Sequence, residues 1–197
     1  MRKLLMLFLF FMPGLIMAEG WKSNPLAISV FNNATLLPPA SLTAVFNQPV
    51  HPGLTVSYEF GWKETEKYKW FQNASLGYFY HRYVDQAILL YSQAGYRHYY
   101  GKFSVEGSLQ LGYMHSLLLT DRAVKQSDGS YKAKQGFGKP QFICGLGVGF
   151  GYNIGNGEKL RRLFLNYDIR MQMPFVKSYV PLLPNGALSL GMQFTLN

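Results

Sequence analysis

The residues of this chain best suited to proton transfer or metal binding are its histidines. They are His51, His81, His98 and His115. His115 is followed directly by Ser116, whose hydroxyl a neighbouring base could activate. No spacing along the chain brings two histidines together. A catalytic site built from His81, His115 and Ser116 is therefore the weaker hypothesis, and solvated histidines in loops are the favoured interpretation.

A second set of candidates consists of acids and bases that alternate with apolar residues. The acids are Glu59, Glu106 and Asp168, and the bases are Lys63, Arg97, Arg162 and Arg170. Such side chains could line an ion path or form a carboxylate-based site. Buried charges must pair to offset the loss of their hydration, so a network of salt bridges that fills an interior is the favoured interpretation.

The elements that would position these residues are β-strands, because apolar and polar residues alternate with a period of two. In segment 103–113 the odd-numbered residues are apolar or glycine, and the even-numbered residues are polar or glycine. Regular alternation also marks segments 54–63, 141–153, 162–172 and 187–196, and less regular strands are predicted at 40–48, 70–81 and 87–98. Together these segments predict eight strands.

The two faces of the predicted strands differ in the way that a membrane barrel requires. In the five regular strands the apolar face carries large residues and no charge, whereas the polar face carries small and ionisable residues. The apolar face of 103–113 spans about 24 Å after tilting, close to the apolar band of about 25 Å in such barrels. A soluble lipocalin or sandwich would also alternate, but it would place its apolar face inside. We therefore predict an all-β fold, an eight-stranded antiparallel up-and-down transmembrane β-barrel.

Composition and the N-terminus indicate an exported protein. Only 15% of the residues are charged, whereas roughly 25% is usual in soluble domains. Arg2 and Lys3, the apolar stretch after them and Ala18 predict a signal peptide over 1–18. Prolines and asparagines leave the structure of 19–39 open, and the barrel is expected over 40–197. Cys144 is the only cysteine, which excludes an intrachain disulfide.

Unequal loops give the predicted barrel a direction. Long connections at 117–139 and 173–185 contrast with short turns elsewhere, and in outer-membrane barrels the long loops lie at the cell surface. The first long loop is basic, with Arg122, Lys125, Lys132, Lys134 and Lys139. Lipopolysaccharide phosphates are an expected partner of these side chains, although an ordinary solvated loop fits equally well.

Nucleic acids and cofactors are not expected partners. Nothing in the sequence alternates basic and base-stacking residues in an exposed groove. The glycines at 145, 147, 149 and 151 alternate with apolar residues and open no helix, so they do not form a phosphate-binding loop. We expect them to make space for long side chains such as Arg97 or Arg162, or to let the sheet curl.

With this pattern, residues 40–197 resemble the small eight-stranded outer-membrane barrel proteins of bacteria. The resemblance implies a bacterial outer-membrane location, contact with outer-membrane lipid and lipopolysaccharide, and insertion by the outer-membrane assembly machinery. Proteins of this class usually end in an aromatic residue that the machinery reads, whereas here Phe194 is followed by Thr195-Leu196-Asn197. The stretch Asn47-Gln-Pro-Val-His-Pro-Gly-Leu54 also resembles a hairpin in exported barrels of the Bacteroidota.

The favoured functional hypothesis is a non-enzymatic structural or surface-interaction role. The alternative is a lipid-modifying enzyme of the lipid A deacylase or acyltransferase type, with its site around His81 and His115. Such a deacylase uses a His-x-Ser pair on one strand, which this sequence lacks, and adjacent residues such as His115 and Ser116 point to opposite faces of a strand. A narrow channel is a third hypothesis.

Overall fold

The computed structural model describes residues 25–36, 41–81, 85–118, 122–125, 131–134, 138–154, 161–175 and 181–195, most of them in β-strands. The predicted signal peptide, 1–18, lies outside these residues. Within the described ranges, no helix is long and apolar enough to cross a membrane.

Eight long strands close into a single antiparallel barrel, which confirms the predicted fold class. In chain order the elements are β1 (Pro25–Thr35), α1 (Ala44–Asn47), β2 (Pro52–Glu64), β3 (Tyr68–Tyr80), β4 (Asp85–Tyr100), β5 (Phe103–Leu118), β6 (Arg122–Lys125), β7 (Tyr131–Lys134), β8 (Lys139–Ile154), β9 (Arg161–Met173) and β10 (Leu183–Thr195). Strands β6 and β7 form a separate two-stranded ribbon in the connection between β5 and β8. The barrel is closed by pairing of β1 with β10.

The barrel has a short-turn end and a long-connection end. At the short-turn end, three residues join β2 to β3 and a two-residue turn joins β4 to β5. That turn contains Gly101 at φ 64°, in the left-handed region that favours glycine. Residues 36–51 and 119–138 connect strands at the opposite end. The barrel therefore has the asymmetry of loops that the sequence indicates.

The first strand is β1, so the barrel begins at Pro25 and not at residue 40 as predicted. A proline is tolerated at the first residue of a strand, where its missing amide is least needed by the ladder. In β1, Ile28 and Val30 are exposed on the outer face, while Ser29 and Phe31 are buried on the inner face. This alternation is too brief to distinguish a strand from an irregular segment by sequence.

The strand predicted over 40–48 is wrong, because this region contains the short helix α1. Both edges of β1 are already occupied, by β2 and by β10, so the closed sheet leaves no edge for another strand. The stretch from Asn47 to Leu54 is likewise not a hairpin, since it leads from the end of α1 into β2. The count of eight holds because β1 replaces the predicted first strand.

Large apolar side chains point out of the barrel and ionisable side chains point into it, as predicted. Leu109, Val148 and Leu165 are 60%, 59% and 44% exposed. Glu106 and Asp168, which stand on the opposite face of the same strands as Leu109 and Leu165, are 9% and 3% exposed. These values exclude the inverse arrangement, in which a soluble barrel would seal its apolar face inside.

A β-bulge reverses the face of one residue predicted to be interior. The register of β2 against β3 shifts between Gly61 and Lys63, so that Trp62 and Lys63 together stand opposite Trp70. As a result Lys63 is exposed, and the prediction that it faces the interior is wrong. Lys69 of β3 occupies the interior instead.

The interior is not polar throughout. Near the long-connection end, inward-facing side chains form an apolar cluster, consisting of Phe31, Phe79, Ala87, Leu89, Tyr91, Met114, Ile143 and Ala187. Within it the rings of Phe31 and Phe79 meet edge to face, with centroids 6.4 Å apart. Six of the eight strands contribute one to three of these residues each, so the alternation of any single strand does not reveal the cluster. The cluster fills the lumen on the long-connection side of the charged residues.

Candidate functional site

Two glutamates and three basic residues form a network of ion pairs inside the barrel near the short-turn end. Glu59 accepts hydrogen bonds from Nζ of Lys69 at 3.0 Å and from Nη2 of Arg97 at 2.7 Å. Oε2 of Glu106 accepts from Nε of Arg97 at 2.7 Å and from Nη2 of Arg162 at 2.8 Å. All five side chains are buried. Because each charge has an opposite charge within hydrogen-bond distance, the network offsets the cost of removing these groups from water.

Arg97 joins the two glutamates. Its Nη1 and Nη2 donate to the two carboxylate oxygens of Glu59, and its Nε donates to Glu106. The guanidinium carbon lies 4.5 Å from the ring centre of Phe71, which packs against its flat face. Arginine alone among the basic residues offers this planar fork of donors, so the site is specific for arginine.

A second polar group lies further along the lumen. Nη2 of Arg170 donates to Asp168 at 3.1 Å and its Nε donates to Oε1 of Gln110 at 3.1 Å, while the amide nitrogen of Gln110 donates to Asp168. The Arg170 guanidinium carbon also lies 5.2 Å from the ring centre of Tyr91. With Lys63 excepted, six of the seven charged residues predicted for the lumen are inside the barrel. They are Glu59, Arg97, Glu106 and Arg162 in the first group and Asp168 and Arg170 in the second.

Two interior partners are not evident in the sequence. Lys69 lies on the inward side of β3 with Phe71 and Ser75, but it precedes the predicted strand 70–81, whose alternation is irregular. Gln110 stands on the polar face of segment 103–113, but it carries no charge to mark it as part of an ionic group. Its place on the polar face was the only sign in the sequence that Gln110 points into the barrel.

The glycines of β8 make space for these side chains, as expected. A Cβ atom added at Gly147 would contact Asp168, and one added at Gly151 would contact the guanidinium of Arg162. A Cβ at Gly149 would contact Asn166. Of the two arginines proposed from the sequence, Arg162 is the one that lies against this run.

A cavity of about 40 Å³ remains within the polar interior, between the two groups. Its walls include Ser57, Asn73, Gln93, Arg97 and Asp168. A water molecule needs roughly 10–15 Å³ of such space, so the cavity has room for a few waters. The described side chains thus leave little space in this part of the lumen, which favours the structural interpretation of the charged residues over an ion path.

Two histidines come together at the long-connection end, contrary to the expectation from their spacing. The rings of His51 and His81 stack with centroids 3.6 Å apart and planes 11° apart. They meet because His51 immediately precedes β2 and His81 immediately follows β3, which are neighbouring antiparallel strands. Nδ1 of His51 lies 3.0 Å from the carbonyl oxygen of Asn33. Among the residues that the structure describes, no three His, Cys, Asp or Glu side chains are grouped as metal ligands.

His115 and Ser116 lie on opposite sides of the barrel wall. On the outer side, Oη of Tyr113 lies 2.6 Å from Nδ1 of His115. On the inner side, the buried hydroxyl of Ser116 donates to Oε1 of Gln141 at 2.6 Å. A nucleophile and its base must share a hydrogen bond, so this placement gives Ser116 a structural bond rather than a catalytic one.

The fold is similar to that of solved outer-membrane barrels. The outer membrane enzyme PagL is 10% identical, with 87% of this chain and 99% of PagL covered and a TM-score of 0.51. Neisserial surface protein A is 13% identical (90% and 100% covered, TM-score 0.49), and Ail, the attachment invasion locus protein of Yersinia pestis, is 11% identical (89% and 99% covered, TM-score 0.44). No protein-family model matches the chain, and no curated protein matches it. At these identities the similarity concerns the fold, that of a small outer-membrane β-barrel.

Proposed function

We propose that this chain is a protein of the bacterial outer membrane, which it spans with its eight strands, and that its role is structural or surface-interacting and not catalytic. The observation that carries the proposal is the uncharged apolar surface around the outside of the barrel. Soluble monomers rarely expose apolar patches larger than a few hundred Å², and here such side chains surround the sheet. Examples from four strands are Leu90, Leu109, Val148 and Leu190, which are all exposed.

Aromatic residues border this surface at both ends and support a membrane position. Exposed aromatic side chains at the short-turn end are Trp62, Trp70, Tyr100, Phe103 and Tyr152, and those towards the long-connection end are Tyr78, Tyr80, Tyr113 and Phe142. Such girdles stand at the two membrane interfaces of outer-membrane barrels. Between Phe103 and Tyr113 the band is about 24 Å high, which fits an apolar layer of about 25 Å.

In this proposal the long-connection end faces the outside of the cell, and residues 1–18 act as the export signal. The β6–β7 ribbon then stands at the surface with Arg122, Lys125, Lys132 and Lys134 in its two strands. Phosphates of lipopolysaccharide are the nearest anions there, and lysine and arginine bind phosphate through ion pairs. Insertion by the outer-membrane assembly machinery, and membership of a Bacteroidota barrel family, stay predictions.

The decisive experiment is epitope accessibility in a diderm host. One variant carries a tag between β6 and β7, and the matched control carries the same tag between β8 and β9, at the short-turn end. We expect antibody to label the first variant on intact cells and the second only after the outer membrane is opened. Recovery of the protein in the soluble periplasmic fraction would contradict the proposal.

Two further measurements address the other hypotheses. Planar-bilayer recordings of the purified barrel should show no conductance, because the lumen is filled by the ion-pair network. Binding to lipopolysaccharide vesicles, compared with a variant in which the four basic ribbon residues are glutamine, tests the surface interaction. Equal binding by both proteins would exclude the ribbon as the contact.

A further inference from the structure

One connection at the long-connection end lies against the outer face of the barrel wall. Residues 36 and 41–50, here named the wall segment, contain α1 and belong to the connection between β1 and β2. Leu36, Ala44 and Val45 of this segment are buried with Ala34 of β1, and partly buried apolar residues pack against them. Those partners, Tyr167, Ile169 and Leu188, belong to the outer faces of β9 and β10.

The wall segment covers part of the surface that lipid would otherwise contact. Leu188 pairs with Tyr167 across β10 and β9, and the next outward pair, Leu190 with Leu165, is 58% and 44% exposed. The covered and uncovered positions are therefore parts of one continuous apolar band. The medium that contacts Leu190 on the outer face of β10 therefore also reaches the edge of the wall segment.

The free side of the wall segment exposes three large apolar side chains, beside Thr43 and Asn47, which are bound to each other. Leu42, Phe46 and Val50 are 53%, 70% and 70% exposed. Residues 36–50 contain no charged residue and no histidine, whereas the 117–139 connection at the same end is rich in lysine. A loop that faced water would not be expected to combine exposed large apolar side chains with a complete lack of charge.

Side chains bind four backbone polar groups of the wall segment and its junction with β1. Tyr167 donates from Oη to the carbonyl of Leu42 at 2.8 Å, and Asn32 donates from Nδ2 to the carbonyl of Val45 at 2.7 Å. Gln48 contacts the backbone of Thr35 twice, donating to its carbonyl at 2.8 Å and accepting from its amide at 3.2 Å. Water could form hydrogen bonds with these groups in an aqueous loop, whereas within hydrocarbon the groups need hydrogen-bond partners from the protein.

We propose that the wall segment lies within the acyl layer of the outer leaflet, with Leu42, Phe46 and Val50 in contact with lipid chains. This inference rests on the proposed membrane location of the barrel. The occupant follows from continuity, because the exposed side of the segment extends the apolar band that begins at Leu190. The segment thus widens the barrel on one side of the outer leaflet without adding a strand.

The test measures the surroundings of single nitroxide labels in protein reconstituted into vesicles of phosphatidylethanolamine and phosphatidylglycerol. In a C144A background, which removes the chain's only cysteine, the labelled variants are F46C, V50C, L190C as the lipid-facing control and E66C in the β2–β3 turn as the aqueous control. Oxygen, which partitions into acyl chains, and a water-soluble nickel chelate report accessibility. Phe46 is largely exposed, so its replacement should not impair folding.

We expect labels at 46 and 50 to be relaxed by oxygen and protected from nickel, as at 190. If 46 and 50 resemble 66 while 190 remains lipid-like, the inference fails and the membrane barrel stands. If 190 also resembles 66, the proposed function fails as well. Protection of 46 and 50 from both reagents would mean burial against another protein copy, which also overturns the inference.

Discussion

Arg97 on β4 binds both carboxylate oxygens of Glu59 on β2, with nitrogen–oxygen distances of 2.7 Å and 3.3 Å, although β3 lies between the two strands. The pair therefore spans β3 on the inner side of the barrel wall and joins strands that share no backbone hydrogen bonds. Through Glu106 the same arginine reaches β5. The interior charges thus act as cross-links of the barrel, in addition to the ladder between neighbouring strands.

Replacing Glu59 by glutamine should strongly destabilise the barrel. The substitution leaves Arg97 and Lys69 buried with less opposite charge, and breaking a buried pair costs about 3–5 kcal/mol. Glu64→Gln is the matched control, because Glu64 also binds Nζ of Lys69, at 3.1 Å, but is 55% exposed. Its effect should be about 0–1 kcal/mol. Urea unfolding in vesicles, followed by tryptophan fluorescence, measures the free energy of unfolding of both variants. Equal decreases in the two variants would contradict a buried network.

Replacing Gly151 by alanine should also lower the free energy of unfolding. The new methyl group would meet the Arg162 guanidinium, which is held by Ser104 and Glu106 and cannot move without losing those bonds. Overpacking of this kind costs about 1–3 kcal/mol.

Gly107→Ala is the control for this substitution, since no atom lies within 4 Å of its added Cβ. Removing a glycine from a strand should stabilise the protein by about 0.5–1 kcal/mol. The same urea titration compares the two variants. If Gly151→Ala is as stable as Gly107→Ala, then the glycine run has no role in accommodating Arg162.

Replacing Tyr167 by phenylalanine should loosen the wall segment without opening the barrel. It removes one hydrogen bond, the one to the carbonyl of Leu42, which is worth about 0.5–1.5 kcal/mol. A nitroxide at position 46 should become more mobile in this variant. Tyr78→Phe removes a comparable bond, from Tyr78 to Gln86 at 2.7 Å, elsewhere on the barrel and should leave the label unchanged. Identical spectra for all three proteins would show that Tyr167 does not hold the segment.

Replacing His81 and His115 together by alanine should not change the acyl pattern of lipid A. Ser116 donates to Gln141 inside the barrel while His115 lies outside, so these two residues do not form a hydrolytic pair. Mass spectrometry of lipid A from cells with the native chain, the double variant and no chain measures this. A pattern altered by the native chain alone would restore the enzyme hypothesis.

Much of the fold follows from the sequence because side-chain alternation directly encodes which face meets which environment. Segment 103–113 is typical: its two faces and its polar members were predicted, although the strand continues to Leu118. Glu106 was expected to be buried and paired, because it lies on the face opposite the apolar side chains and a charge inside a barrel needs an opposite charge beside it. Where a residue's position depends only on its own strand, the pattern suffices.

The errors arose where position depends on pairing between distant parts of the chain. Pro25–Thr35 is a strand because β2 and β10 occupy its two edges, and this same closure excludes a strand over 40–48. The outward position of Lys63 depends on a bulge in β2, where its register against β3 shifts. The stack of His51 on His81 likewise follows from the pairing of β2 with β3, which the spacing of the histidines along the chain does not show.

The pairing of β1 with β10 also bears on biogenesis. An unfinished copy that lacked its final strand would present two open ladders, at β1 and at β9, each able to recruit a strand from another copy. Closure of the cylinder therefore requires the last strand, and until that strand is in place both edges are open to pairing with other chains.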